Sequence, residues 1–149
     1  MKAAALDLDS VLGDTRPLWD AWLEDVARRL RETLVLPPER GDAAAVLDER
    51  LGNWRVLLER FAEERAPVYL RPVADVNASL RRLRADGVRL GAFTDAPDEL
   101  ARVALAQLGA ARLLDAVECG PGAAGRILER LRADAIVIRS RAELARVTP

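Results

Sequence analysis

Two aspartates close an apolar run near the start of the chain. In "KAAALDLDSVLGDTRPLWDAW", residues 2–22, Asp7 and Asp9 stand one residue apart after the four apolar or small residues Ala3 to Leu6. Residues two apart in extended chain share a side, so this spacing directs both carboxylates toward one ligand. One can attack as a nucleophile while the other moves protons. An ionised pair also attracts a hard cation such as Mg²⁺, which lowers the mutual repulsion and neutralises a phosphate. The competing reading is structural, with Asp9 and Ser10 capping a turn after a strand. Spacing alone leaves both open.

Composition removes other chemistries. The chain has no histidine, which excludes a Ser-His-Asp triad, a histidine base and every histidine-containing zinc site. Its one cysteine, Cys119, cannot form an internal disulfide, and without a histidine to activate it reads as a small buried residue rather than a nucleophile. Acids and bases nearly balance at a net charge of −1, so no nucleic-acid footprint and no attraction to anionic membranes is expected. No apolar run approaches a bilayer span, and a reducing, cytoplasmic setting is the expectation. With 149 residues, half of them hydrophobic, one globular domain with a small insertion is the natural size class.

The elements that must position the pair follow from periodicity. "AAALDL" (3–8), "VRLGAF" (88–93), "AVEC" (116–119) and "AIVI" (135–138) are short apolar runs bounded by turn residues, consistent with buried strands. Helical patterns separate the later ones. "PVADVNASLRRLRADG" and "PDELARVALAQLG" each carry a proline near the start and a glycine at the stop, and "GRILERLRAD" is a third. Strands alternating with helices imply a Rossmann-like α/β fold, a mostly parallel sheet with helices on both faces.

Residues 14–70 break the alternation and read as an all-helical insertion into a core formed by 1–13 and 71–149. Asp14 or Thr15 caps a first helix, with Leu18, Trp19, Trp22, Leu23, Val26 and Leu30 on one side. "LPPERGD" interrupts, a second helical region starts at Asp42, and Asn53 caps a third with Trp54, Leu57, Leu58 and Phe61 on its apolar stripe. The tryptophans read as packing residues.

"ALDLDSVLGDT" resembles the first motif of the haloacid dehalogenase superfamily, an Asp-x-Asp at the end of the first strand followed by a turn and a cap insertion. The resemblance implies a phosphohydrolase acting on a small phosphorylated molecule, in which Asp7 is the nucleophile that becomes an aspartyl-phosphate and Asp9 the general acid and base. It also implies Mg²⁺ held by Asp7 and by the backbone carbonyl of Asp9. The family's second motif, a strand ending in Thr or Ser, is matched by "VRLGAFTDAP", with Thr94 as a phosphate hydrogen-bond donor; the alternative is an ordinary strand-end hydroxyl.

The later motifs depart from the family pattern. Its third is usually a lysine, and the only lysine here is Lys2, ahead of the first strand. Arg126 in "GPGAAGRILERL" is the candidate substitute, with a solvated helix-surface arginine as the alternative. "GPGAAG" lacks the Lys-Ser/Thr ending of a P-loop. Where the family places acidic metal ligands after the fourth strand, "AIVIRSRAEL" offers Arg139, Ser140 and Arg141, two of which repel Mg²⁺ and attract phosphate. Glu143 is either a substitute ligand or part of a capping box with Ser140. A second reading follows, a catalytically degenerate relative that binds a phospho-ligand or a protein partner. A third acidic group near Asp7 supports the metal-dependent enzyme; arginines paired with Asp7 or Asp9 support the binding role.

Overall fold

The computed structural model describes residues 1–30, 33–132 and 134–148; Arg31, Glu32, Ala133 and Pro149, within the segments read as insertion and core, lie outside it. Four strands form one sheet: β1 Ala3–Asp7, β2 Arg89–Thr94, β3 Ala116–Cys119 and β4 Ala135–Ile138. The order is β3-β2-β1-β4, and every neighbouring pair is parallel. Alanine is a poor strand former, yet Ala3, Ala4 and Ala5 form β1 because the strand sits between two partners with both faces covered.

Helices lie on both faces, as the alternating pattern requires. Ala4 and Leu6 of β1 point into the larger core, with Leu80 of α4 (Ala74–Ala85), Leu100 of α5 (Asp98–Gln107) and Leu144 of α7 (Arg141–Val147). Ala3 and Ala5 point the other way, into a smaller cluster with Phe93 and with Ile127 and Leu131 of α6 (Ala123–Leu131). Gly91 lets α6 approach closely: a Cβ there would stand 2.8 Å from Ile127 Cδ1.

Between β1 and α4 run α1 (Arg16–Leu30), α2 (Arg40–Arg50) and α3 (Trp54–Tyr69). Trp19 and Trp22 of α1 meet Trp54 of α3 with ring centroids 5.4 to 6.3 Å apart, all three nearly fully buried. The Trp54 indole N–H donates to Asp48 Oδ1 at 2.8 Å, so the buried ring keeps its polar atom satisfied. The segment joins the core where α3 packs on α5.

One boundary differs from expectation, and one cap is made by an unexpected atom. Helix α2 begins at Arg40, two residues before Asp42, because Glu39 takes the N-cap position and its carbonyl accepts from Ala43. Asn53 is the N-cap of α3, but its backbone carbonyl rather than its side chain accepts the first bond, from Leu57. Among the described residues no helix is long and apolar enough to cross a membrane.

Because Gly91 has no room for a side chain, Gly91→Val is expected to overpack the β2–α6 contact and cost about 1–3 kcal/mol. Urea unfolding followed by far-UV circular dichroism checks this; a midpoint equal to wild type would refute the close-packing argument.

Candidate active site

In a parallel sheet the strand carboxyl ends form the ligand-binding edge, above all where the strand order reverses. Here the chain runs outward from β1 through β2 to β3 and then returns to place β4 on the other side of β1. Asp7 ends β1 at that reversal, in register with Phe93 of β2. A cleft of about 290 Å³ opens there, lined by Asp7, Asp9, Phe93, Thr94, Gly120 and Ala123 among others. Both carboxylates of the pair therefore face one cavity, though not by strand alternation. Leu8–Leu12 form a single wide π-helical turn, closed by Gly13 N–H to Leu8 carbonyl at 3.0 Å, and Asp9 reaches the cleft from it. Such turns recur at functional sites.

Asp9 is held by four donors. Its Oδ1 accepts from the Thr15 N–H at 2.9 Å and the Thr15 hydroxyl at 2.5 Å; its Oδ2 accepts from the Thr94 hydroxyl at 2.7 Å and Arg40 Nη2 at 2.9 Å. The proton directions are fixed by arginine, which only donates. Arg40 Nη1 donates to Thr15 Oγ1 at 2.6 Å, and the Ala96 N–H donates to Thr94 Oγ1 at 3.2 Å, so both hydroxyl protons turn toward Asp9. Burial raises the Asp9 pKa, but the Arg40 charge, the Thr15 and Thr94 hydroxyls and the Thr15 N–H outweigh it, leaving the carboxyl below the 3.8 of an ordinary aspartate.

Arg40 is the residue that sequence reasoning missed. It opens α2, and its side chain is 4 % exposed despite full charge. Nη2 also donates to Asp95 Oδ1 at 2.6 Å, so Arg40 ties the helical segment to the loops after both β1 and β2. Gly41 makes the insertion feasible: a Cβ there would lie 2.5 Å from Pro121 Cγ. "LPPERGD" reads as a break between helices, and nothing in it separates Arg40 from the many surface arginines. Thr15 was legible only as a cap, and Asp95 only as part of a turn.

Asp7 and Asp9 meet in the cleft, and Thr94 joins them, buried at the end of β2 with its hydroxyl proton committed to Asp9. Arg126 does not join them. Its guanidinium bonds Glu118 Oε1 at 2.9 Å and the carbonyl oxygens of Cys119 and Pro121, bracing the loop behind the cleft. Ser140 caps α7 by accepting the Glu143 N–H at 3.1 Å, and Glu143 reaches back to the Arg139 N–H at 3.2 Å. Glu143 therefore serves the capping arrangement, and Arg141 donates to the Val11 carbonyl at 3.0 Å.

The expected Mg²⁺ site on Asp7 and Asp9 does not fit these residues. Magnesium wants an octahedron of oxygens with carboxylates among them. Both carboxylate oxygens of Asp9 are occupied by donors, which leaves only its backbone carbonyl to offer, and Arg139 Nη1 places a positive charge 3.9 Å from Asp7 Oδ2. Among the described residues no three His, Cys, Asp or Glu side chains gather where they could hold a metal ion.

Two outcomes are expected from this geometry. A carboxylate whose folded pKa is depressed adds stability above its unfolded pKa and loses it as pH falls through the folded value, so the wild-type protein should lose stability from about pH 5 toward pH 3. Arg40→Met leaves Asp9 buried without its counter-charge and should cost about 3 kcal/mol near neutral pH while shrinking that acid-limb slope; urea titrations at several pH values measure both. Separately, burial and then the charges of Asp98 and Glu118 push the Cys119 thiol up to about 12. Its reaction with a disulfide reagent at pH 8 should run at least about tenfold slower than that of a small free thiol.

No family model and no curated protein matches the sequence. Solved structures do match. A Thermotoga maritima protein assigned as a beta-phosphoglucomutase superposes with a TM-score of 0.60 at 20 % identity, covering 99 % of this chain and 82 % of that one. A HAD phosphatase from Thermococcus onnurineus superposes with a TM-score of 0.56 at 23 % identity, covering 99 % and 83 %. The four-stranded parallel sheet with helices on both faces agrees with these comparisons in one conclusion: the chain has the haloacid dehalogenase-like fold.

Proposed function

We propose that the chain is a phosphohydrolase for a small phosphorylated molecule. The observation that carries this reading is the convergence of Asp7 and Asp9 on one cleft at the reversal of strand order, with Thr94 at its wall. Asp7 lines that cleft with its side chain 23 % exposed, open to an incoming phosphorus. In the first step an Asp7 oxygen attacks phosphorus, the bond to the leaving oxygen breaks as Asp9 gives that oxygen a proton, and an aspartyl-phosphate forms. In the second step water attacks that phosphorus and gives its proton to Asp9, which releases phosphate and restores Asp7.

Asp9 as described accepts from four donors, so giving a proton in the first step and taking one in the second both require Arg40 to leave its carboxylate, and the contact between α2 and the core separates two states of the site. Ala123 at the start of α6 also faces the cleft, and no acidic residue occupies that first helical turn, which favours a bound phosphoryl group. The start of α5 is different, because Asp98 and Glu99 already occupy its first turn. On the side of binding without turnover stand the Arg40–Asp9 pair at 2.9 Å, the lack of a third acidic group among the described residues, and Arg139 beside Asp7. At 3.9 Å Arg139 lies beyond hydrogen-bond distance, and it leaves Asp7 open to the cleft.

The test is phosphate release from a panel of small phosphorylated metabolites, comparing wild type with Asp7→Asn. Release that falls by at least about a thousandfold in Asp7→Asn supports the hydrolase. Release no higher than the Asp7→Asn background across the panel would sink it and leave a phospho-ligand-binding module.

A further inference from the structure

The sheet register decides what stands next to Asp7. Leu6 pairs with Ile138 across the β1–β4 edge, so the residue that follows each, Asp7 and Arg139, emerge side by side at the reversal point. On the opposite flank Asp7 pairs with Phe93. The Arg139 guanidinium lies over the Phe93 ring, 5.3 Å from its centroid, and so spans the row in front of Asp7. Its Nη1 is 3.9 Å from Asp7 Oδ2, and its side chain is 59 % exposed, with donors left for a ligand entering the cleft. A planar guanidinium with several N–H donors matches phosphate oxygens in a way that a carboxylate at the same place would not.

We propose that Arg139 supplies the positive charge at Asp7, so that this site binds a phosphoryl group without a divalent cation. The inference rests on the phosphoryl-binding part of the preceding reading, not on turnover. Three observations support it together. The positions after β4 that would bring acidic metal ligands bring Arg139, Ser140 and Arg141; Glu143, the nearby carboxylate in sequence, is used in capping α7; and neither carboxylate oxygen of Asp9 is free of a donor. Phe93 acts as a positioning residue that holds the guanidinium over the cleft rather than letting it extend into solvent.

Inorganic phosphate is the probe, titrated into the full chain by calorimetry in EDTA and again with millimolar Mg²⁺. The expected dissociation constant is the same in both within about twofold. Arg139→Gln should weaken phosphate binding by about tenfold, and Arg139→Lys should recover part of the loss. Arg102→Gln, which alters an exposed arginine bound to Asp98 on α5, should leave binding unchanged. Arg139→Asp should make phosphate binding respond to Mg²⁺. The proposal is overturned if Mg²⁺ tightens wild-type binding more than about fivefold, if Arg139→Gln binds as wild type does, or if wild type does not bind phosphate. Metal-independent binding that depends on Arg139, in a protein with no turnover, would uphold this inference while defeating the hydrolase. Turnover and phosphate binding that both require Mg²⁺ would do the reverse.

Discussion

One buried guanidinium organises this molecule. Arg40 enters from the helical segment and meets Asp9 and Thr15 after β1, Thr94 at the end of β2 and Asp95 just beyond it. Removing a charge from water costs several kcal/mol, and a buried ion pair recovers that only when its remaining hydrogen-bonding atoms are satisfied. Here they are: among the described residues no buried side-chain nitrogen or oxygen lacks a partner. The arrangement thus fixes the protonation of Asp9, the orientation of two hydroxyls and the seat of α2 at once. None of these can change alone, because each donor in the network constrains its neighbour's proton.

A second arginine gives the site its charge balance. Asp7 faces Arg139 and Asp9 faces Arg40, so each carboxylate of the pair has a cation of its own. The two contacts are unequal. Arg40 is buried and hydrogen-bonded, whereas Arg139 is largely exposed and braced by an aromatic ring, where screening by water weakens its pull on Asp7. One arginine therefore belongs to the architecture, and the other is free to reorient toward whatever enters the cleft. In a chain with a single lysine, the planar fork of arginine does both tasks.

Much of the frame was readable in advance because it depends on local pattern. β3 and β4 fall at 116–119 and 135–138 as the apolar runs indicate, and α7 starts at the Ser140 cap, where a side-chain oxygen and a glutamate three residues on leave little ambiguity. The placement of Asp7 and Asp9 in one cleft followed from strand-end logic, although Asp9 arrives there on a π-helical turn that alternation does not anticipate. Arg40 was not readable. Its role depends on a contact between residues 31 apart in sequence, made possible by the missing side chain at Gly41 against Pro121. The placement of Arg126 was unreadable for the same reason in reverse: position along the helix said nothing about Glu118 and two carbonyls waiting to absorb its donors.

The tryptophan cluster has a spectroscopic consequence. All three tryptophans sit in α1 and α3, and the single tyrosine and one of the two phenylalanines also lie in α3, which leaves Phe93 as the sheet's sole aromatic ring. Intrinsic emission is therefore blind to the parallel sheet and reports the helical segment alone. Backbone dichroism sees both. Recorded together through one denaturation, the two signals would superimpose if the Arg40 junction welds segment and sheet into a single cooperative unit, and would separate if the helices let go first.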